Sequence, residues 1–197
     1  MNYKFPYWGP FLMDVEIEDE IISLLLEKGK ESQKKSNDAR KNLAAVINKA
    51  YYFETVEWFY PLFSPYVNTY VEGFSHYKPN AFKKPLTGWE FYGLWINYQK
   101  ANEYNPPHHH DGDLSFVIYL QVPEEIVKEN DVHNNPGPGM ICFDMGPEMP
   151  FSVGGNVMMP KVGQVFIFPA WLSHHVLAFK SDVERISVSG NIKFKYD

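Results

Sequence analysis

Cysteine is nearly absent from this chain: Cys142 is the only one in 197 residues. A lone thiol forms no intramolecular disulfide and supplies neither a cysteine-rich zinc site nor an iron–sulfur cluster. It suits a reducing compartment. Long apolar runs are missing too. No stretch approaches the ~20 apolar residues of a membrane-spanning helix, and residues 1–20 lack a basic start followed by a sustained apolar run. We therefore expect a soluble protein of the cytoplasm. Positive charge is also in short supply, 18 Lys and Arg against 24 Asp and Glu for a net charge of −6. Non-specific nucleic-acid affinity comes mainly from Lys and Arg neutralising phosphates, so a broad nucleic-acid track is disfavoured, although a local basic patch stays open.

What is present is aromatic. Phe, Tyr and Trp make up 17% of the chain, and these residues favour strands and pocket walls. Between 18 and 32 the apolar positions Ile21, Ile22, Leu24, Leu25 and Leu26 follow acidic residues and precede lysines, which predicts an amphipathic helix in register with its macrodipole. After a polar, lysine-rich stretch (30–42), Val56, Phe59, Phe63, Val67, Tyr70 and Phe74 recur every three or four positions. That is a second helix, interrupted or restarted near Pro61 and Pro65. Beyond Gly88, β-branched and aromatic runs alternate with Gly, Pro and Asn punctuation, predicting strands at 89–98, 114–122, 139–143, 164–168, 175–179 and 185–194. The stretch 124–138, with Asn134-Asn135-Pro136-Gly137-Pro138, reads as a long surface loop or a lid. The expected organisation is one domain over 1–197, mainly β with N-terminal helices: a helical support region (1–88) on one face of a sandwich or jelly roll (89–197).

Five of the seven histidines fall in two clusters, His108-His109-His110 and His174-His175. Neutral imidazole is the commonest protein metal ligand. The first cluster follows Pro106-Pro107 and precedes the turn Asp111-Gly112, at a strand-to-turn boundary where side chains converge on ligands. In an extended segment, residues i and i+2 share a face. His108 with His110, or His109 with Asp111, can therefore point inward, but not both pairs. The second cluster follows the apolar run Val165-Phe166-Ile167-Phe168. Further on, Arg185, Ser187, Ser189 and Asn191 share one face of a strand whose other face is Ile186, Val188, Gly190 and Ile192. An inward Arg needs a partner, and its planar fork suits a carboxylate.

Taken in order, Trp95-Ile96-Asn97-Tyr98, Pro107-His108-His109-His110, Leu114-Ser115-Phe116-Val117-Ile118-Tyr119-Leu120, Phe168-Pro169 to His174 and Arg185-Ile186-Ser187 resemble the Fe(II)- and 2-oxoglutarate-dependent oxygenases, closest to the prolyl- and aspartyl-hydroxylase-like group. The resemblance covers about 89–193. It implies a double-stranded β-helix, Fe(II) and 2-oxoglutarate as cofactors, and hydroxylation of a substrate by dioxygen with decarboxylation of 2-oxoglutarate to succinate. It matches His108 to the first metal histidine, His174 to the distal one, and Arg185 with Ser187 to the pair gripping the far carboxylate of 2-oxoglutarate. Tyr119 and, more weakly, Asn97 fall at further co-substrate contacts.

The departure is at the carboxylate ligand, because two residues after His108 stands His110 and not an acid. Three frames stay open: His108, His110 and His174, which the Pro107-His108 match favours; His109, Asp111 and His174; or His108 with water and a nearby acid such as Asp113. Two other functions compete. One is a binding protein on the same scaffold with a vestigial metal. The other is a cupin-like, three-histidine dioxygenase that does not use 2-oxoglutarate. The primary substrate and the oligomeric state are not specified by any motif.

Overall fold

The computed structural model describes residue 3 and residues 9–131, 137–147 and 149–197. In chain order its elements are β1 (Met13–Glu16), α1 (Asp19–Lys34), β2 (Ala50–Tyr52), α2 (Tyr60–Tyr77), β3 (Leu86–Gln99), β4 (Asn105–His108), β5 (Leu114–Gln121), α3 (Glu124–Asn130), β6 (Ile141–Asp144), β7 (Gly155–Met158), β8 (Gln164–Pro169), β9 (Ser173–Val176) and β10 (Arg185–Tyr196). Two antiparallel sheets result, a six-stranded one ordered β1-β8-β5-β10-β3-β2 and a four-stranded one ordered β4-β9-β6-β7. From β3 to β10 the chain passes back and forth between them, the connectivity of a double-stranded β-helix. Among the described residues no helix is long and apolar enough to cross a membrane.

Alternation along each central strand of the large sheet creates two different faces. Phe116, Ile118, Val165, Ile167, Val188 and Ile192 meet the buried stripes of the helices, Leu25 from α1 and Phe63, Val67 and Tyr70 from α2. The opposite set, Val117, Tyr119, Phe166 and Phe168, faces Ile141 and Phe143 of the small sheet. Helix α2 is continuous where the sequence suggested a break. Pro61 lies in the first turn, where its missing N–H would have no partner in any case, and Pro65 is absorbed one turn later.

Two sequence expectations need correction. The stretch beginning at residue 124 opens as helix α3, not loop. It is anchored by the fully buried Ile126 and by Glu129, whose carboxylate accepts from the Lys180 and Ser181 N–H groups at 2.9 Å each. With seven residues and one buried anchor, it is too short to show a period. The expected loop residues Asn134, Asn135 and Pro136 lie outside the described residues. The strand expected at 175–179 is β9, and it begins at Ser173, so both histidines of the second cluster are in the sheet.

Gly190 is the most tightly enclosed glycine of the large sheet among the described residues. A Cβ there would lie 2.5 Å from Cζ of Phe116 and 2.8 Å from the Gly93 carbonyl oxygen. The ring can shift, but the backbone of the neighbouring strand cannot. Gly190→Ala should therefore destabilise the protein by about 1–3 kcal/mol, the usual cost of overpacking a core. A lowered denaturant midpoint with an unchanged slope is the expected result. An unaltered midpoint would show that the sheet yields freely here.

Candidate metal centre and anion pocket

Strand β4 ends at His108, which sits directly opposite His174 of β9. His110 lies just beyond the strand, where its N–H donates to the Ala170 carbonyl at 2.9 Å. Gly112, at φ +106°, then turns the chain back against Ile192 of β10, a conformation few other residues adopt. These constraints bring three imidazoles together. Ring centroids are 4.2 Å apart for His108 and His174, 4.7 Å for His108 and His110, and 5.1 Å for His110 and His174. Among the described residues this is the one group of three or more His, Cys, Asp or Glu whose donor atoms all lie within 4.8 Å of one another.

Two of the rings have a fixed tautomer. Nδ1 of His108 faces the Pro106 carbonyl at 2.8 Å, and Nδ1 of His174 faces the Leu172 carbonyl at 2.9 Å. A carbonyl oxygen only accepts, so each Nδ1 carries the proton and each Nε2 keeps its lone pair, the orientation in which imidazole binds a metal. Burial pushes the pKa of His108 down, that of His110 down to about 4 and that of His174 down to about 3, with the neighbouring imidazoles adding to the effect. All three are therefore neutral at pH 7, and the Nε2 lone pair of His108 accepts a long, weak contact of 3.4 Å from the Asn105 side-chain amide, which a metal would displace.

The other candidates fall outside this group. His109 is exposed and borders the cavity without joining the three imidazoles, and Asp111 is exposed. The Asp113 carboxylate accepts the Phe194 N–H at 2.7 Å and so ties the turn to β10. His175 is paired through Nδ1 with Asp144 at 2.9 Å, outside the cluster.

On the large sheet, Arg185 is 3% exposed. Its guanidinium donates to the Gly139 carbonyl at 2.6 Å and to Oε1 of Gln99, and lies over the Tyr119 ring with Cζ 5.6 Å from the centroid. Every one of these partners is neutral. Its Nε, the Tyr119 hydroxyl and Oδ1 of Asn97 are buried without a hydrogen-bond partner among the described residues. Register explains the gathering, since Arg185 pairs with Gln99 and Ser187 pairs with both Asn97 and Tyr119.

Arg185, Ser187, Tyr119, Asn97 and the three imidazoles line one cavity of about 260 Å³, and no Asp or Glu lines it among the described residues. Sequence reasoning missed Trp95 and Gln99, which share the inward face of β3 with Asn97 and are detectable by the same alternation. It also missed Asn42, Leu43, Ala44, Ala45 and Ile47, which reach the cavity from a segment without strong periodicity.

The residues that build this cavity fall largely within a stretch recognised by comparison with known proteins. The family model described as "Putative 2OG-Fe(II) oxygenase" matches residues 93–191. Among solved structures, the viral collagen prolyl hydroxylase of Paramecium Bursaria Chlorella virus-1 is similar with a TM-score of 0.54 and 15% identity, over 93% of this chain and 96% of that one. A Pseudomonas putida prolyl-4-hydroxylase gives 0.57 and 12%, over 95% and 94%. The α-ketoglutarate-dependent epimerase SnoN of nogalamycin biosynthesis gives 0.59 and 13%, over 95% and 79%. At such identities these structures share the fold. No curated protein sequence is significantly similar to this chain. The matched stretch begins in β3, ends in β10 and takes in half of the chain, and on that ground the protein belongs to the 2OG-Fe(II) oxygenase family.

Proposed function

We propose that this oxygenase hydroxylates an organic substrate, with Fe(II) held by His108, His110 and His174 and 2-oxoglutarate held at its far carboxylate by Arg185 and Ser187, with Tyr119 and Asn97 beside it. When bound, the iron and 2-oxoglutarate supply the oxygen-activating redox chemistry, and the co-substrate leaves as succinate. The protein's share is placement. Neutral imidazoles with oriented Nε2 lone pairs offer a ligand set that leaves other positions of the ion open. The buried guanidinium fixes one end of a dicarboxylate so that the keto acid end reaches toward the histidines. We place this activity in the cytoplasm, where reducing conditions suit a lone buried thiol.

The observation that carries the reading is Arg185 itself. A guanidinium this deeply buried normally has a carboxylate partner, yet among the described residues Arg185 contacts only neutral groups and keeps an unpartnered Nε in the same cavity as the imidazoles. A bound dicarboxylate completes it. The donor set without an acid favours a second reading, a three-histidine dioxygenase that does not use 2-oxoglutarate. Anaerobic titration of metal-free protein separates the two. A visible charge-transfer band that requires both Fe(II) and 2-oxoglutarate is the expected result. Iron binding with no band on addition of 2-oxoglutarate would overturn the proposal in favour of the second reading.

A further inference from the structure

The charge around the three imidazoles is unbalanced. The cavity is lined by neutral groups and one cation, Arg185, with no carboxylate among the described residues. The described acids next to the histidine clusters in sequence or strand register are engaged or solvated: Asp111 is exposed, Asp113 accepts the Phe194 N–H, and Asp144 pairs with His175. The buried Glu103 accepts from the Asn48 backbone and side chain and from the Lys100 N–H, so its oxygens are occupied. A divalent ion at His108, His110 and His174 therefore meets no protein anion among the described residues and shares its chamber with a second positive charge.

Buried charge is stable only when compensated. Where two histidines and a carboxylate bind a metal, the protein supplies part of that compensation. His110 supplies none. A dicarboxylate ligand supplies most of it, with one negative charge for the ion and one for Arg185 against a total of three positive charges.

We infer that His110 makes metal retention conditional on a bound dicarboxylate, so that the ion and 2-oxoglutarate load as a unit and each binds weakly without the other. The inference rests on the three-imidazole centre proposed above. Linkage makes the effect reciprocal, since whatever 2-oxoglutarate adds to metal affinity the metal adds to 2-oxoglutarate affinity.

Co(II), followed by its visible d–d absorption, tests this without turnover. In the wild type, 2-oxoglutarate should tighten Co(II) binding by at least about tenfold, within the usual range of coupling between sites. In His110→Asp the carboxylate should raise Co(II) affinity in the absence of 2-oxoglutarate and shrink the coupling several-fold. His110→Asn, still neutral, should keep the dependence. Equal Co(II) affinity with and without 2-oxoglutarate in the wild type overturns the inference, whatever the variants do. Undiminished coupling in a folded His110→Asp protein overturns it as well. Co(II) binding unaffected by His174→Ala would instead remove the three-imidazole centre on which the inference stands.

Discussion

Arg185→Met is expected to weaken 2-oxoglutarate binding by between about thirtyfold and several thousandfold, the equivalent of the 2–5 kcal/mol that follows when one partner of a buried, hydrogen-bonded charge pair is removed. The same substitution should leave the unfolding temperature of the metal-free protein unchanged or raised. The two expectations have one physical cause. Without a ligand, Arg185 is a buried cation among neutral partners, and burial disfavours its charged form. An apolar side chain of similar length removes that cost. A titration of the charge-transfer band and a thermal melt decide the matter together. A large fall in melting temperature with 2-oxoglutarate affinity intact would show that Arg185 braces β10 against Gly139 and Gln99 and binds no ligand.

His174→Ala should cost more than about a hundredfold in metal affinity, since even the groups that merely orient a ligand are worth ten- to a hundredfold. His174 is the most buried of the three imidazoles, at 6% exposure, with its ring 4.8 Å from that of Phe168. His108→Ala should behave alike. His109→Ala and Asp111→Ala should leave metal affinity within a factor of two or so of wild type, because both side chains are exposed and neither belongs to the three-imidazole group, although His109 borders the cavity. Calorimetric metal titration of the four variants separates the ligand frames. A loss at His109 and Asp111 with none at His108 would reverse the assignment.

The strands that sequence alternation missed have one thing in common. β1, β2, β4 and β7 are the outermost strands of the two sheets, three or four residues each. One of them contains Pro106 and Pro107. Edge strands are kept short, polar or proline-bearing because a long apolar edge invites aggregation. The features that protect an edge also erase the pattern by which a strand is recognised. The central strands β3, β5, β8 and β10 carry long β-branched and aromatic runs and were legible almost to their ends.

The site divides in the same way. The polar face of β10, with Arg185 and Ser187 set against Ile186 and Val188, is a property of alternation along one strand, and the structure turns that face into the cavity. By itself, then, the sequence determined the class of fold, the two histidine clusters and the polar strand face that carries Arg185, because periodicity and composition act within a few residues of each other. Only the tertiary structure decided which histidines meet. The rule that i and i+2 share a face allowed His108 with His110 as readily as His109 with Asp111. The choice comes from β4 pairing with β9 so that His108 stands opposite His174. That no carboxylate stands beside them among the described residues was equally beyond local reading, because Asp113 is drawn away by a backbone N–H from β10, a partner supplied by a strand far along the chain.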